Sequence, residues 1–141
     1  MEQDFGLDQL QTFCKGSMVD HLGIEFTAQA PSFLQARMPV DSRTQQPFGI
    51  LHGGASVVLA ESLGSIAAQM LVNDNTKMCV GLEINANHIR SVRTGWVVGT
   101  AVPIHAGKST QIWEIRIHEE GTESLICICR LTLMVVDRKG K

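Results

Sequence analysis

Residues 53–72, GGASVVLAESLGSIAAQMLV, constrain this chain more than any other stretch. The run is rich in Ala and Leu, lacks Pro, and is too long for an ordinary strand, so it reads as a helix. Glu61 is its only charged residue. A helix this apolar is buried almost all round, and the rest of the chain must supply the wrapping. Strand-like runs do so at 23–29, 32–38, 77–90, 96–104, 109–119 and 124–136. The clearest is WEIRIHE, where Trp113, Ile115 and Ile117 alternate with Glu114, Arg116 and His118, the period of a half-buried strand. Glu120-Gly121-Thr122 reads as a hairpin turn into the last strand. Residues 7–14 have weak helical spacing, and PVDSRTQQPFG is a loop closed by Gly49. One long apolar helix and a succession of antiparallel strands predict an α+β fold.

The 141 residues are expected to form one domain, 1–141. A net charge of -2 with scattered basic residues gives no nucleic-acid footprint. No secretory signal is read at the N-terminus, and no apolar run is read as reaching the roughly 18 residues that span a bilayer. The expected location is the cytoplasm, with no membrane partner. Cys14, Cys79, Cys127 and Cys129 do not form paired C-x-x-C motifs, so reduced thiols packed as small apolar groups are expected, and no metal. Dinucleotide, phosphate-loop and nucleophile-elbow motifs are absent too, and no cofactor is expected.

The helix's polar groups do not scatter. At about 100° per residue, Glu61, Ser62, Ser65 and Gln69 fall within a third of the circumference, with Gly54 on the same face. A buried carboxylate there would need hydrogen bonds, a proton or a cavity, and burial would tune it for base or nucleophile work. The plain alternative is a Glu exposed on a polar stripe. At the start of the helix, His52-Gly53-Gly54 offers free N–H groups and close backbone approach, a place to polarise a carbonyl oxygen. A tight loop-to-helix turn would use the same glycines. Gly54 and Glu61 are seven residues apart, about 10 Å along the axis. One helix cannot hold a carbonyl at its start and attack it with its own Glu61. A second copy running antiparallel can, so His52 and Gly54 of one subunit are expected to work with Glu61 of another. In the strand 77–90, Val80, Leu82, Ile84, Ala86 and His88 are expected on one face, with Glu83, Asn85 and Asn87 on the other. Arg90, Arg93 and Lys108 at strand ends suit phosphate or plain solvation.

QPFGILHGGASVVLAESLGS, VGLEINANHIRSVRTG and IHAGKSTQIWEI resemble the hotdog-fold acyl-CoA thioesterases. Within them the likeness is to the 4-hydroxybenzoyl-CoA thioesterase lineage with its Glu on the central helix. That lineage includes enzymes acting on 1,4-dihydroxy-2-naphthoyl-CoA in menaquinone synthesis and proofreading enzymes of enterobactin synthesis. The resemblance covers residues 17–135. It implies a curved sheet around the helix, an acyl-CoA substrate, and homodimers with composite sites paired into homotetramers. It implies Glu61 as nucleophile or general base, Gln46 and His52 as orienting groups, and Gly54 as donor to the thioester oxygen. Ser65, Gly81 and His88 would contact the acyl end. Ile89, Arg90 and Ser91, with His105, Ala106, Gly107, Lys108, Ser109 and Thr110, would hold the CoA arm. The rivals are a thioesterase acting on a carrier protein, a non-catalytic acyl-CoA sensor and a dehydratase. The last lacks its His/Asp-type site here.

Overall fold

A computed structural model describes residues 6–139, so the ends of the domain expected over 1–141 lie outside the described residues. Two short helices, α1 (Leu7–Phe13) and α2 (Met18–His21), lead into the strands β1 (Glu25–Ala30) and β2 (Phe33–Pro39). The long helix α3 (Gly53–Val72) follows, then β3 (Lys77–His88), β4 (Trp96–Ala106), β5 (Thr110–Glu119) and β6 (Leu125–Asp137). The strands form one antiparallel sheet in the order β1-β2-β4-β5-β6-β3. It is the α+β hotdog arrangement, with α3 against one face. The four-residue α2 was not legible in the sequence.

Helix α3 begins and ends where its residues dictate. His52 holds extended backbone and its ring caps the first turn. Asn73 stops the helix in the left-handed region at φ 46°, which asparagine tolerates better than most residues. Asp74 then accepts from the Thr76 N–H at 2.8 Å and turns the chain into β3.

Small residues let the sheet come close. Ala55, Ala60, Gly64, Ala67 and Ala68 on the helix are buried with Leu59 and Leu63. A Cβ at Gly64 would lie 2.5 Å from Leu131 Cδ2. A Cβ at Gly99 of β4 would lie 2.8 Å from Leu63 Cδ1. Facing them are Leu34, Ala36, Met38, Val97, Ala101, Ile115, Ile117, Leu131 and Leu133, all buried. Trp113 joins them because its ring N–H donates to the buried Gln111 amide oxygen at 2.7 Å. Cys127 and Cys129 share the inward face, as their spacing required, with their sulfurs 3.6 Å apart. The Cys127 hydrogen bond and burial together push the Cys129 thiol up.

Two expectations are corrected, and for Glu61 the exposed alternative is the one found. By length and composition α3 is apolar enough to cross a membrane. In this fold it is the core helix instead, with one side packed on the sheet. Its Glu61 is not buried by its own chain: the polar stripe faces outward, and Glu61 is exposed. In β3, the pairing with β6 shifts between Gly81 and Glu83, so Leu82 is an extra, bulged residue. The alternation therefore inverts there. Ile84 and Ala86 face the core, with Cys79 and not Val80 as the inward residue before the bulge. Val80 and Leu82 are exposed.

The two sheet edges differ. Strand β1 is short, bulged between Phe26 and Ala28, and covered by α1. The Gln11 amide donates to the Ile24 carbonyl at 2.9 Å and accepts from the Phe26 N–H at 3.0 Å. Strand β3 is 12 residues long and carries no strand neighbour on its outer side among the described residues.

Candidate active site

The approach to α3 is a pinned loop. The Leu51 N–H donates to Val92, the His52 N–H to Thr44, and the Gln45 amide to Arg93, each at 2.8 Å. Gln46 lies inside this loop. Its backbone pairs with Ile50, and its side-chain oxygen accepts from the Phe48 N–H. The Gln46 side chain is thus engaged in its own turn.

At the start of α3 the N–H of Gly54 is not open. It donates to His52 Nδ1 at 2.8 Å. A ring that accepts at Nδ1 carries its proton on Nε2 when neutral. An incoming oxygen reaches the Gly54 N–H only by displacing the His52 ring, which is exposed and unhindered by packing. The expected donor is present but occupied, and the sequence could not show it, because a histidine before a helix can turn either ring nitrogen toward it. His88, the last residue of β3, meets this same end. A Cβ at Gly53 would lie 2.9 Å from His88 Nε2. Gly53 is therefore the seat of the His88 ring, and His52, Gly53, Gly54 and His88 form one cluster.

Glu61 stands apart from that cluster, two turns along α3. Its Oε1 lies 3.6 Å from where a Gly81 Cβ would be, an ordinary contact distance, so Glu61 and Gly81 are neighbours across α3 and β3. Gln69 fixes β3 at this level. Its amide donates to the Lys77 carbonyl at 3.2 Å and accepts from the Cys79 N–H at 3.0 Å. Glu61, Ser62 and Ser65 line a surface hollow of about 490 Å³ with Phe13, Val19 and Ile66. Phe13 lies on α1, outside the motifs read from the sequence.

The segments expected to hold a CoA arm lie at opposite ends of the sheet. Ile89 and Arg90 follow the His88 end of β3, where their N–H groups donate to the Ile126 carbonyl at 2.7 and 3.3 Å. The turn from His105 to Thr110 lies at the Val80 end. There Thr110 pairs with Met134, which pairs with Val80, and Ser109 accepts from Val135 at 2.9 Å. Val80 and His88 are about 25 Å apart along a strand. Ala106 and Gly107 shape the turn, since the Gly107 N–H donates to Thr110 at 2.9 Å and its Cα packs against His105. Lys108 and Ser91 are exposed. One chain brings Glu61, Ser65 and Gly81 together, and His52, Gly54 and His88 together. It does not bring Arg90 to Lys108.

No cluster of three or more His, Cys, Asp or Glu side chains suited to a metal occurs among the described residues. A lone exposed carboxylate, a helix start near two imidazoles, and an adjacent hollow suit acyl transfer to water.

Comparison with known proteins agrees. Residues 48–126 match the thioesterase superfamily. A thioesterase from Haemophilus influenzae superposes with a TM-score of 0.92 at 48% identity, covering 96% of this chain and 94% of that one. The 1,4-dihydroxy-2-naphthoyl-CoA hydrolase of Escherichia coli is 50% identical over 130 residues, 92% of this chain and 94% of that protein. The proofreading thioesterase EntH of Cronobacter turicensis is 46% identical over 130 residues, 92% and 93% of the two chains. The chain belongs to the thioesterase superfamily and is a thioester hydrolase of the hotdog fold.

Proposed function

We propose that the chain hydrolyses an aromatic acyl-CoA, 1,4-dihydroxy-2-naphthoyl-CoA or a close analogue, to the free acid and CoA, with Glu61 as the reacting carboxylate. The observation that carries this is the position of Glu61. It is the only charged side chain of α3, it is exposed on the outward stripe, and glycine faces it from β3. No hydrogen bond or ion pair engages it among the described residues. A carboxylate with no structural partner is available for chemistry. The E. coli relative named for naphthoyl-CoA hydrolysis supports the aromatic acyl group.

Two routes use the same group. Glu61 attacks the thioester carbon, expels the CoA thiolate and leaves a mixed anhydride that water cleaves. Alternatively, Glu61 removes a proton from water as that water attacks. In both, the thioester oxygen gains negative charge, and the Gly54 N–H stabilises it once the oxygen replaces His52 Nδ1. Residues His88 and Ser65 border the acyl end, and Gln46 supports the loop before His52.

The site is completed by a second copy. Gly54 and Glu61 of one helix are about 10 Å apart along its axis. The open edge of β3 supports an antiparallel pairing with the β3 of another chain. That pairing carries the Gly81 end of one chain toward the His88 end of the other, so Lys108 of one approaches Arg90 of the other. Both cations then face one CoA arm. Pairs of such dimers would form the tetramer expected from the family likeness, and a cytoplasmic location suits a CoA thioester.

Thiol release from a panel of CoA thioesters, wild type against Glu61→Gln, tests this. The expected result is preference for aromatic acyl groups and a kcat at least about 10²-fold lower in the variant. A variant keeping more than about a tenth of the rate would remove Glu61 from the chemistry. The EntH relative favours one rival, hydrolysis of aryl groups on a carrier protein. Faster release from an aryl carrier protein than from the matching CoA ester would select it.

A further inference from the structure

We propose that Gln69 is a positioning residue: it stops the pairing of β3 with a second β3, and so sets where Glu61 of one chain stands against Gly54 of the other. This rests on the composite-site reading above.

The hydrogen bonds around β3 show which of its backbone groups are open. In an antiparallel strand the N–H and C=O of one residue point to the same side, and the side alternates along the chain. Just before β3, the Thr76 carbonyl accepts from the Arg138 N–H at 2.8 Å, so Thr76 faces β6. Lys77, Cys79 and Gly81 therefore face the free edge. The bulge at Leu82 inverts this alternation, as it inverts the side chains. Beyond it the Ile89 N–H donates to the Ile126 carbonyl at 2.7 Å. Ile89 thus faces β6, and Ile84, Ala86 and His88 face the free edge.

Gln69 occupies the start of that edge. Its amide holds both the Lys77 carbonyl and the Cys79 N–H. The Arg138 guanidinium adds a second donor to Lys77 at 3.1 Å. Another strand could pair here only by breaking both Gln69 bonds. The edge groups from Gly81 to His88 carry no such clamp among the described residues.

Two antiparallel copies of β3 can slide by two residues with every side chain still on its own face. Sliding toward a shorter overlap loses ladder bonds at both ends. Sliding toward a longer overlap drives the His88 end of each strand into the Gln69 of the other chain. The register therefore settles at the longest overlap that Gln69 allows. A two-residue slide displaces one chain by about 7 Å against the other. That is twice the separation of about 3–3.5 Å at which atoms react, so a slipped dimer cannot bring Glu61 to a carbonyl held at Gly54.

The test is Gln69→Met, which keeps the length and helix propensity of the side chain and removes both bonds. The register is read by pulsed dipolar spectroscopy between spin labels on Glu123→Cys, one on each chain, with and without Gln69→Met. Glu123 is exposed in the turn beyond the His88 end of the sheet. A longer overlap carries the two His88 ends away from each other. The Gln69 variant is therefore expected to add a population whose labels stand about 7 Å further apart. Its kcat is expected to fall by the slipped fraction with KM unchanged, because the unslipped dimers keep the native site. A distance that stays the same or shortens overturns the proposal whatever the rate, and leaves the composite site standing. Absence of dipolar coupling without the Gln69 substitution overturns the pairing of β3 and the stop with it. Should Gln69→Met fail to fold, Gln69→Ala removes the same two bonds and is read in the same way.

Discussion

A composite site makes a quantitative prediction for mixed subunits. Take two variants, Glu61→Gln and His52→Ala, the second expected to be inactive because the displaced His52 ring orients the thioester and the attacking water, the role that the family likeness implies. Glu61 is exposed, so its replacement by an isostere should leave stability within about 0.5 kcal/mol. His52→Ala removes the ring that accepts the Gly54 N–H at 2.8 Å, a cap contribution of about 1 kcal/mol, which leaves the core untouched. Refold the two together in equal amounts. Random two-fold pairing makes half the dimers mixed. If His52 of one chain works with Glu61 of the other, each mixed dimer has one site with both lesions and one site with neither. Half the dimers then carry one intact site of two, and the mixture recovers about a quarter of wild-type activity. If each helix serves its own site, every site in every dimer carries a lesion and nothing is recovered. The assay is thiol release against the mixing ratio. Activity should peak at equal amounts and vanish at either end. A flat line at the level of the single variants would refute the distance argument from Gly54 to Glu61. It would also remove the case for Arg90 and Lys108 meeting across subunits.

Two further predictions concern the fold. Gly64→Ala sets a Cβ 2.5 Å from Leu131 Cδ2. Overpacking costs about 1–3 kcal/mol and the gain in helix propensity returns about 1 kcal/mol. Urea denaturation should therefore show a net loss of about 1 kcal/mol, and an unchanged midpoint would mean that Leu131 yields freely. Asp41 accepts side-chain and backbone hydrogen bonds from Arg43, which hold its carboxyl below the usual range. A depressed carboxyl adds stability above its unfolded value, near 4, and loses it as pH falls through the folded one. Asp41→Asn should thus be slightly less stable than wild type at neutral pH, by an amount limited by solvent screening. The two melting points should converge below about pH 4, and a gap that widens on acidification would contradict the sign.

Much of this was legible in the sequence because the patterns were long. Twenty residues with one charge can only be the central helix, and its limits, Gly53 and Val72, were read correctly. WEIRIHE alternates without interruption and lies in β5 as expected. The misreadings all arise where a local pattern depends on something non-local. The facing of Val80 and Leu82 was lost because a bulge has no sequence signature beyond Gly81, and one inserted residue inverts every side chain before it. Whether Glu61 is buried or exposed stayed open because its helix is apolar all round except for that stripe. The chain leaves that stripe uncovered, and hydrophobicity alone does not say which molecule covers a face. The occupied Gly54 N–H depends on the choice of ring nitrogen at His52. Phe13 was passed over because weak spacing in α1 gave no reason to bring it beside Ser65.

The asymmetry of the sheet edges also limits polymerisation. A sheet with two open edges can add chains without end. Here Gln11 occupies the backbone groups of Ile24 and Phe26 at the start of β1, so the β1 side is a poorer template for another strand than the β3 side. In the proposed pairing, joining at β3 would consume the long edge of both partners at once. The product would be a ribbon with a covered β1 strand at each end. Removing the Gln11 amide would weaken that cover at both ends.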